Sequence, residues 1–313
     1  MNASGAIRAA VIGVGHLGRH HARILAEMAG VELMAVVDTR AEPASEAAAA
    51  TGARALTDYR ELLGGVDAVT VAVPTEQHRE IAQPFLERGT AVLVEKPMTR
   101  TIADAEALLD AARASGAVFA VGHTERFNPA VAAVLPLVST PRFIEVHRLG
   151  AFPDRSLDID VVFDLMIHDL DVILAMVKSD VTAIEAVGVP VLTDKYDIAN
   201  ARLRFANGCI ANVTASRISR EPVRKIRFFQ PDAYLSIDYA EQEVEGYRLV
   251  RRGAERPSIE GGKLPVAREE PLKRELADFI AAVSDGRPPL VTGDAGLRAL
   301  KLAQAIADKM ESV

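Results

Sequence analysis

The stretch Ala6-Ile7-Arg8-Ala9-Ala10-Val11-Ile12-Gly13-Val14-Gly15-His16-Leu17-Gly18 decides how the first part of the chain folds. Its apolar run predicts a buried strand over Ala6–Ile12, and the glycines that follow predict a tight turn opening a helix over Leu17–Met28. A second apolar run, Val31–Val37, ends at Asp38, which lies 20 residues after Gly18. This succession of strand, turn, helix and strand is typical of a βαβ unit in a parallel sheet.

The three glycines at 13, 15 and 18 match the pattern by which such units bind dinucleotides. The first makes the tight turn, the second lets the backbone approach the pyrophosphate, and the third permits close helix packing. The helix N-terminus offers free N–H groups to the phosphates. Asp38 is placed to accept hydrogen bonds from the adenosine ribose. It would repel a 2′-phosphate by roughly 4 kcal/mol near 4 Å at an effective dielectric of about 20, and Arg40 would offset part of this. We therefore expect NAD, with NADP less favoured.

The same alternation continues as far as Gly122. Further strands are predicted over Ala68–Val73, Ala91–Glu95 and Val118–Val121, and helices over Pro43–Ala50, Glu76–Glu87 and Thr101–Ser115. Residues 1–122 are thus predicted to form one doubly wound, NAD-binding Rossmann domain in an α/β chain.

After Gly122, polar and apolar residues alternate as in half-exposed antiparallel strands. Asn207-Gly208 predicts a hairpin with positive φ at both positions, and residues 252–271 are expected to be a loop. One long helix over Val161–Val177 and two C-terminal helices complete an α+β domain over 123–313, with a large, mostly antiparallel open sheet. The strands are predicted over Arg142–Leu149, Thr182–Val189, Ala199–Phe205, Cys209–Arg217, Lys225–Phe229, Tyr234–Asp238 and Glu243–Val250.

A sheet of this size with one covering layer leaves a face open, and such faces usually find a partner. We predict a homo-oligomer through this sheet, either a homodimer or a homotetramer.

The amino-acid composition limits which other classes of partner are expected. The 313 residues are 49% hydrophobic and 25% charged, which is ordinary for a globular chain. The net charge of −7 argues against a nucleic-acid partner. No apolar run approaches the roughly 20 residues that span a bilayer, so no membrane association is expected. The single cysteine, Cys209, suits a reducing compartment, and the expected location is cytoplasmic.

The run Ala91-Val92-Leu93-Val94-Glu95-Lys96-Pro97 reads as a buried strand that reaches its carboxyl end. Open α/β sheets place ligands at that edge, which would put Lys96 at the mouth of a site; a surface lysine before a turn is the alternative. Val73-Pro74-Thr75 and His78 end the preceding strand, either as a wall near the nicotinamide or as an ordinary turn. His16 is expected to contribute backbone rather than chemistry. The predicted cofactor contacts are Gly13, Gly15, His16, Leu17, Gly18, Asp38, Thr39, Arg40, Val73, Pro74, Thr75, His78, Glu95 and Lys96.

The helix over Val161–Val177 places Asp164, His168 and Asp171 on one narrow face at 3.6 residues per turn. Carboxylates are rarely buried without a partner, so this face either meets a cavity or forms a satisfied core network. Oxidation of a secondary alcohol needs a group that takes the hydroxyl proton, and histidine suits that task. His168 would be the base, and Asp164 would orient its ring. Lys96 would hydrogen-bond the reacting oxygen and stabilise alkoxide character, or share the proton relay. No second His or Cys cluster completes a zinc site, so no metal is predicted.

In this order, Gly13–Gly18, Asp38, Val73–His78, Glu95-Lys96-Pro97 and the Asp164/His168 pair resemble the Gfo/Idh/MocA family of sugar and inositol oxidoreductases. The resemblance implies a Rossmann domain, a second domain whose open sheet makes dimer contacts, and catalytic roles for Lys96, Asp164 and His168. It also implies a cis Lys96–Pro97 peptide.

Within the family, Gly122–Pro129 and Phe163–Asp171 are similar to dehydrogenases that oxidise C3 of UDP-linked N-acetyl sugars and supply a 3-keto sugar to an aminotransferase. The segment 156–160 departs from the glycine-rich lead that many members carry. Arg148 and Arg155 could serve a diphosphate, and the arginines of 217–227 are expected to form a solvated sheet edge. Other hypotheses are a free sugar, inositol or sugar acid as substrate, and a non-catalytic dinucleotide-binding regulator. The predicted substrate contacts are Arg126, Asn128, Arg155 and Asp171.

Overall fold

The computed structural model describes residues 5–152, 159–252 and 256–310. The chain divides into two compact units, Met1–His123 with Leu272–Leu297, and Thr124–Pro271 with Arg298–Val313. The first division lies one residue from the predicted boundary at 122. Unlike the prediction, the first unit also takes 272–297, because Leu276 and Phe279 are buried in the same apolar cluster as Val11 and Val36.

The sheet of the first unit has six parallel strands in the order β3-β2-β1-β4-β5-β6. The strand order reverses between β1 and β4, so their carboxyl ends flank the crevice where sheets of this kind bind ligands. The three-residue β3 is too short to leave a pattern in the sequence. The strands are β1 (Ile7–Ile12), β2 (Val31–Val37), β3 (Arg54–Leu56), β4 (Ala68–Val71), β5 (Ala91–Glu95) and β6 (Phe119–Gly122).

The helices begin and end where local signals place them. The Thr101 hydroxyl accepts the N–H of Asp104 at 3.1 Å and caps α4, and Gly116 ends that helix at a φ of 75°. No helix among the described residues is long and apolar enough to span a membrane. The helices are α1 (Gly18–Glu27), α2 (Ala41–Thr51), α3 (His78–Leu86), α4 (Ile102–Ser115), α5 (Pro129–Val134), α6 (Ile167–Val177), α7 (Pro271–Asp285) and α8 (Gly293–Met310).

The sheet of the second unit has eight strands in the order β14-β13-β12-β11-β7-β10-β9-β8. Only the β7/β10 pair is parallel; the other pairs are antiparallel. The strands are β7 (Phe143–Leu149), β8 (Val181–Val189), β9 (Ile198–Phe205), β10 (Ile210–Ser216), β11 (Val223–Phe229), β12 (Ala233–Asp238), β13 (Glu243–Val250) and β14 (Ser258–Leu264).

Two local predictions in this sheet were wrong. The expected loop over 252–271 contains the edge strand β14, whose side chains are largely exposed and so show no apolar alternation. At the β9–β10 hairpin only Gly208 has a positive φ, of 85°. Asn207 instead uses its side-chain oxygen to accept the N–H of Cys209 at 3.0 Å.

One face of the second sheet is covered by α5, α6 and the later part of α8, whose apolar residues form the core of this unit. The strand burial patterns alternate, so the opposite face carries half-exposed side chains. The sheet of the second unit therefore has one uncovered face in the single chain, as the sequence predicted.

Candidate functional site

Three glycines shape the loop between β1 and α1. A Cβ atom on Gly13, where φ is 86°, would lie 2.6 Å from the carbonyl oxygen of Ala72, and one on Gly18 would overlap the carbonyl oxygen of Gly13. Gly15 is exposed, and a Cβ there would meet no atom within 4 Å. Close packing therefore requires Gly13 and Gly18, whereas Gly15 leaves open space beside the backbone.

The N-terminus of α1 suits an anion. Its first turn carries no acidic side chain, and the positive end of its dipole lies at the glycine loop. The N–H groups of Arg19 and His20 donate to the carbonyl oxygens of Gly15 and Leu17, at 3.2 and 2.9 Å. His16 and Leu17 are exposed on the rim of the loop, and His16 Nδ1 lies 3.3 Å from a guanidinium nitrogen of Arg19. The loop and helix therefore fit the pyrophosphate of a dinucleotide.

Asp38 follows β2 and is held beside the glycine loop. Its carboxylate accepts N–H groups from Val14 at 3.4 Å and from Arg40 at 3.1 Å, and its side chain is 11% exposed. The Arg40 guanidinium lies 3.5 Å away and is mostly exposed, as is Thr39. These contacts leave carboxylate lone pairs for a ribose, so Asp38 also fits NAD.

His78 follows β4 and begins α3, as the sequence suggested, but its side chain is engaged by the backbone. Its side chain is buried, with Nε2 2.9 Å from the carbonyl oxygen of Val73 and Nδ1 3.1 Å and 3.2 Å from those of Pro97 and Met98. Burial lowers the pKa of His78. Because both ring nitrogens face backbone oxygens, direct contact with a cofactor is not supported. Pro74 and Thr75, just before it, keep exposed surface at the crevice.

Lys96 directly follows β5 and is half-buried at the carboxyl edge of the first sheet. The Lys96–Pro97 peptide is cis, as the resemblance implied. Glu95 is buried, and its Oε1 lies 3.0 Å from Nε2 of His21 on α1. The side chain of Glu95 thus points into the protein rather than into the crevice.

In the second unit, a π-helical turn over Val162–Met166 leads into α6. Asp164 lies within this turn and His168 at the start of α6, and both are half-buried. Asp171, which the sequence placed on the same face as these two residues, is buried. Turns of this kind occur frequently at functional sites.

Asp169, the residue after His168 in the sequence, belongs to a buried cluster of ion pairs. Arg148 Nε lies 2.6 Å from Asp169 Oδ2, Nη2 lies 3.0 Å from Oδ1, and Nη1 lies 3.0 Å from Glu125. Burial opposes the charge, but the carboxylates of Asp169 and Glu125 outweigh it and raise the pKa of Arg148 above its ordinary value. Arg148 is therefore not available for a diphosphate, contrary to prediction.

The four predicted substrate residues have different environments. Arg126 Nη1 lies 3.3 Å from Asp171, and the Arg126 side chain keeps 13% of its surface exposed. Asn128 is buried, where it caps α5 and donates to Glu125 and to the carbonyl oxygen of Tyr239, so direct substrate contact by Asn128 is not supported. Asp171 is buried and forms an ion pair with Arg126, so direct substrate contact by Asp171 is not supported. Arg155 lies outside the described residues.

Arg217 also departs from the solvated edge predicted for 217–227. It is buried, donates to Asp197 Oδ1 at 2.8 Å, and contacts the carbonyl oxygen of Ile159 at 2.9 Å. A signal was available in the sequence. Side chains two residues apart on a strand face the same side of the sheet. Arg148 lies two residues after the buried Val146, and Arg217 lies two residues after the buried Ala215, so the alternation along each strand places both arginines on the core side.

Comparisons with known proteins agree with this geometry. Residues 7–123 match the model of an oxidoreductase family with an NAD-binding Rossmann fold, and 141–231 match the GFO/IDH/MocA C-terminal domain. The chain is 39% identical over 311 residues to UDP-N-acetylglucosamine 3-dehydrogenase of Acidithiobacillus ferrooxidans, covering 98% of both chains. This chain belongs to the Gfo/Idh/MocA family.

A solved structure of that relative and one more distant relative also match nearly the whole chain. The solved structure of UDP-N-acetylglucosamine 3-dehydrogenase from Acidithiobacillus ferrooxidans superposes with a TM-score of 0.92 at 38% identity, over 98% of each chain. An inositol 2-dehydrogenase of Rhizobium meliloti is 25% identical over 323 residues, covering 96% of this chain and 95% of its own. As a Gfo/Idh/MocA member, the chain is an NAD-binding oxidoreductase. Within the described part of the chain, no group of three or more His, Cys, Asp and Glu side chains is arranged to hold a metal.

Proposed function

We propose that this protein is an NAD-dependent dehydrogenase that oxidises the C3 hydroxyl of a UDP-N-acetylhexosamine. The observation that carries the proposal is the 39% identity to a UDP-N-acetylglucosamine 3-dehydrogenase over nearly the whole of both chains. The first unit would bind the dinucleotide, and the second would hold the sugar.

The dinucleotide would be held by residues of the first unit. The backbone at Gly15 and the first turn of α1 would hold the pyrophosphate, Asp38 would hold the adenosine ribose, and Val73–Thr75 would line the nicotinamide side. The chemistry that bound NAD would supply is a hydride acceptor for the carbon that carries the hydroxyl. Thr39 and Arg40 are exposed beside Asp38 and would border the adenosine.

The chain's own side chains would handle the proton. His168 would take the hydroxyl proton as general base, which is worth about 10² to 10⁴ in rate, and Asp164 would orient its ring. Lys96 would donate a hydrogen bond to a reacting oxygen and stabilise its developing negative charge. Arg126, partly exposed and braced by Asp171, would contact the substrate's anionic part, and Arg155 would add a second guanidinium.

The decisive experiment incubates the protein with NAD and a panel of UDP-sugars, free sugars and inositols and follows reduced nicotinamide by absorbance. A coupled aminotransferase or a 2-oxoacid acceptor removes a 3-keto product whose accumulation is unfavourable. Turnover confined to UDP-N-acetylhexosamines is the expected result. Turnover of a free polyol with none of any UDP-sugar would refute the proposed substrate.

A second candidate keeps the chemistry and changes the substrate to an inositol or a free sugar. The end-to-end similarity to an inositol 2-dehydrogenase favours it, at a lower identity of 25%. The same panel distinguishes the two substrates. If the protein is a non-catalytic regulator, calorimetry should detect NAD binding, and no alcohol of the panel should be oxidised.

We also propose that the open face of the second sheet joins subunits into a homodimer or homotetramer. It carries a row of aromatic rings, Phe143, Phe229, Tyr234 and Tyr247, with neighbouring centroids 5.2 to 6.2 Å apart. Phe229 and Tyr247 keep more than a third of their surface exposed in the single chain. A monomer by light scattering would contradict this. A cytoplasmic location and a pathway aminotransferase that consumes the keto sugar complete the proposal.

A further inference from the structure

Glu95 is a buried carboxylate at the end of β5, immediately before Lys96. Its side chain is only 7% exposed. Burying a carboxylate is unfavourable unless partners compensate for its lost hydration, so this position needs an explanation. The sequence-based prediction, contact with the cofactor, does not provide one, because both carboxylate oxygens are engaged within the protein.

The two oxygens have different partners. Oε1 lies 3.0 Å from His21 Nε2, and Oε2 accepts the backbone N–H of Lys96 at 3.2 Å. Burial raises the pKa of Glu95, but its hydrogen bond and electrostatic interaction with His21, together with the charge and the backbone N–H of Lys96, lower it by more, so the pKa of the carboxyl lies below its ordinary value. Because an ionised carboxylate only accepts, His21 Nε2 is the donor.

The neighbouring strand leaves room for this carboxylate. Gly122 on β6 pairs with Glu95, and a Cβ on Gly122 would lie 3.1 Å from Glu95 Cδ and Oε2. Three positions far apart in the sequence, 21, 95 and 122, therefore shape one buried site in the first unit.

We propose that His21 and Glu95 are a positioning pair, which holds the main chain of Lys96 in register with the dinucleotide-binding helix. His21 lies three residues after Gly18, less than one turn from the N-terminus where the phosphates would lie. A displacement of α1 is transmitted through the imidazole to Glu95, and through Oε2 to the amide of Lys96. The proposal rests on the proposed role of Lys96 in hydride transfer, and it makes neither His21 nor Glu95 a catalytic residue.

The test compares variants at the three positions. His21→Phe keeps the ring and removes the donor, whereas His21→Gln can still donate to Oε1. Glu95→Gln removes the charge, and Gly122→Ala crowds the carboxylate without changing any charge. We expect His21→Phe, Glu95→Gln and Gly122→Ala to lower kcat about 10- to 100-fold with KM for the sugar changed less than about threefold, as for a misplaced catalytic group. The kcat of His21→Gln should lie, on a logarithmic scale, at least halfway from the kcat of His21→Phe to that of wild type.

The matched control is Asp67→Asn. Asp67 pairs with Arg8 at 2.7 Å in the same unit, beside the amino end of β4, so its loss should lower the unfolding temperature and leave kcat within about twofold. The double variant His21→Phe/Glu95→Gln should lose no more than the worse single variant, because residues that act as a unit are non-additive.

A second measurement, amide hydrogen exchange, does not depend on catalytic activity. Without cofactor, hydrogen exchange of the Lys96 amide should be at least tenfold faster in His21→Phe and Gly122→Ala than in wild type, and unchanged in Asp67→Asn. If wild type turns over no alcohol, the proposed function fails while the exchange result still decides the pairing. Unchanged exchange, additive losses in the double variant, or kcat within twofold of wild type in both His21→Phe and Gly122→Ala would overturn the positioning role. Should Glu95→Gln not fold, these two variants carry the test.

Discussion

Arg148 and Asp169 form a two-point ion pair buried in the second unit, with Nε–Oδ2 and Nη2–Oδ1 distances of 2.6 and 3.0 Å. Asp169 is the residue after His168, and Arg148 belongs to β7. The pair therefore ties the start of the helix that carries the proposed base to the central part of the sheet. The Tyr239 ring lies 5.1 Å from the guanidinium carbon and covers the pair.

Replacing one member of this pair should be costly. Arg148→Met leaves Asp169 as a buried charge without its guanidinium, and we expect it to lower the free energy of unfolding by about 3 to 5 kcal/mol. Urea denaturation followed by circular dichroism measures the change. Lys263→Met, which breaks the exposed pair with Glu243, is the control and should leave the urea midpoint unchanged. Equal effects of the two substitutions would show that burial does not decide the contribution.

Turnover should require the side chains of both Lys96 and His168, whereas NAD should still bind to a variant that lacks either one. His168→Ala removes the proposed base and is expected to lower kcat by about 10² to 10⁴. Lys96→Ala should lower kcat to a comparable extent, because the developing charge on the oxygen loses its donor. Isothermal titration calorimetry, which suits a chain without tryptophan, should give an NAD affinity close to wild type for His168→Ala and measurable NAD binding for Lys96→Ala, whose side chain is a predicted cofactor contact. Full activity in either variant would refute the proposed proton chemistry.

The cofactor preference should depend on the charge of Asp38. Asp38→Asn preserves the size of the side chain and removes the like charge that a 2′-phosphate would meet, so the ratio of kcat/KM for NADP to that for NAD should rise at least about tenfold. Initial rates with both cofactors measure the ratio. Asp58→Asn, at an exposed ion pair with Arg60, is the matched control and should leave it unchanged. A ratio unchanged in Asp38→Asn would mean that another group excludes NADP.

Acid stability should depend on Asp197. Its carboxylate accepts the N–H groups of Val191, Leu192 and Thr193, and it pairs with the buried Arg217. Burial raises the pKa of Asp197, but the backbone N–H groups and Arg217 lower it by more, so the carboxyl titrates below the ordinary value of 3.8.

Because the pKa of Asp197 is lower in the folded state than in the unfolded one, its contribution is fully present above pH 3.8 and is lost as the pH falls further. Asp197→Asn should lower the free energy of unfolding at pH 7 by about 3 to 5 kcal/mol, since Arg217 stays buried without its counter-charge. The difference from wild type should shrink in urea titrations below pH 3.8. A difference that grows on acidification would contradict the assignment.

Much of the first unit follows from local sequence. The glycine loop, Asp38 and the strand–helix alternation are signals within about 30 residues of one another, and they sufficed to predict the parallel sheet and the NAD-binding turn. The family resemblance likewise depended on short motifs whose residues stay at fixed spacing. The strand β14 was missed because an exposed edge strand needs no apolar alternation, and the π-helical turn at Asp164 was missed because no sequence period marks it.

What the sequence by itself determined is therefore the chemistry available: a dinucleotide turn, a lysine at a strand end and an Asp/His helix. The tertiary structure decided which polar groups remain available for function. His78, Asn128, Arg148 and Arg217 are all polar residues that the sequence left open to solvent or ligand, and the fold uses each of them internally. The partner that satisfies a buried charge or donor can lie far away along the chain, as the carbonyl oxygen of Tyr239 does for Asn128, 111 residues apart, so only folding brings the two together.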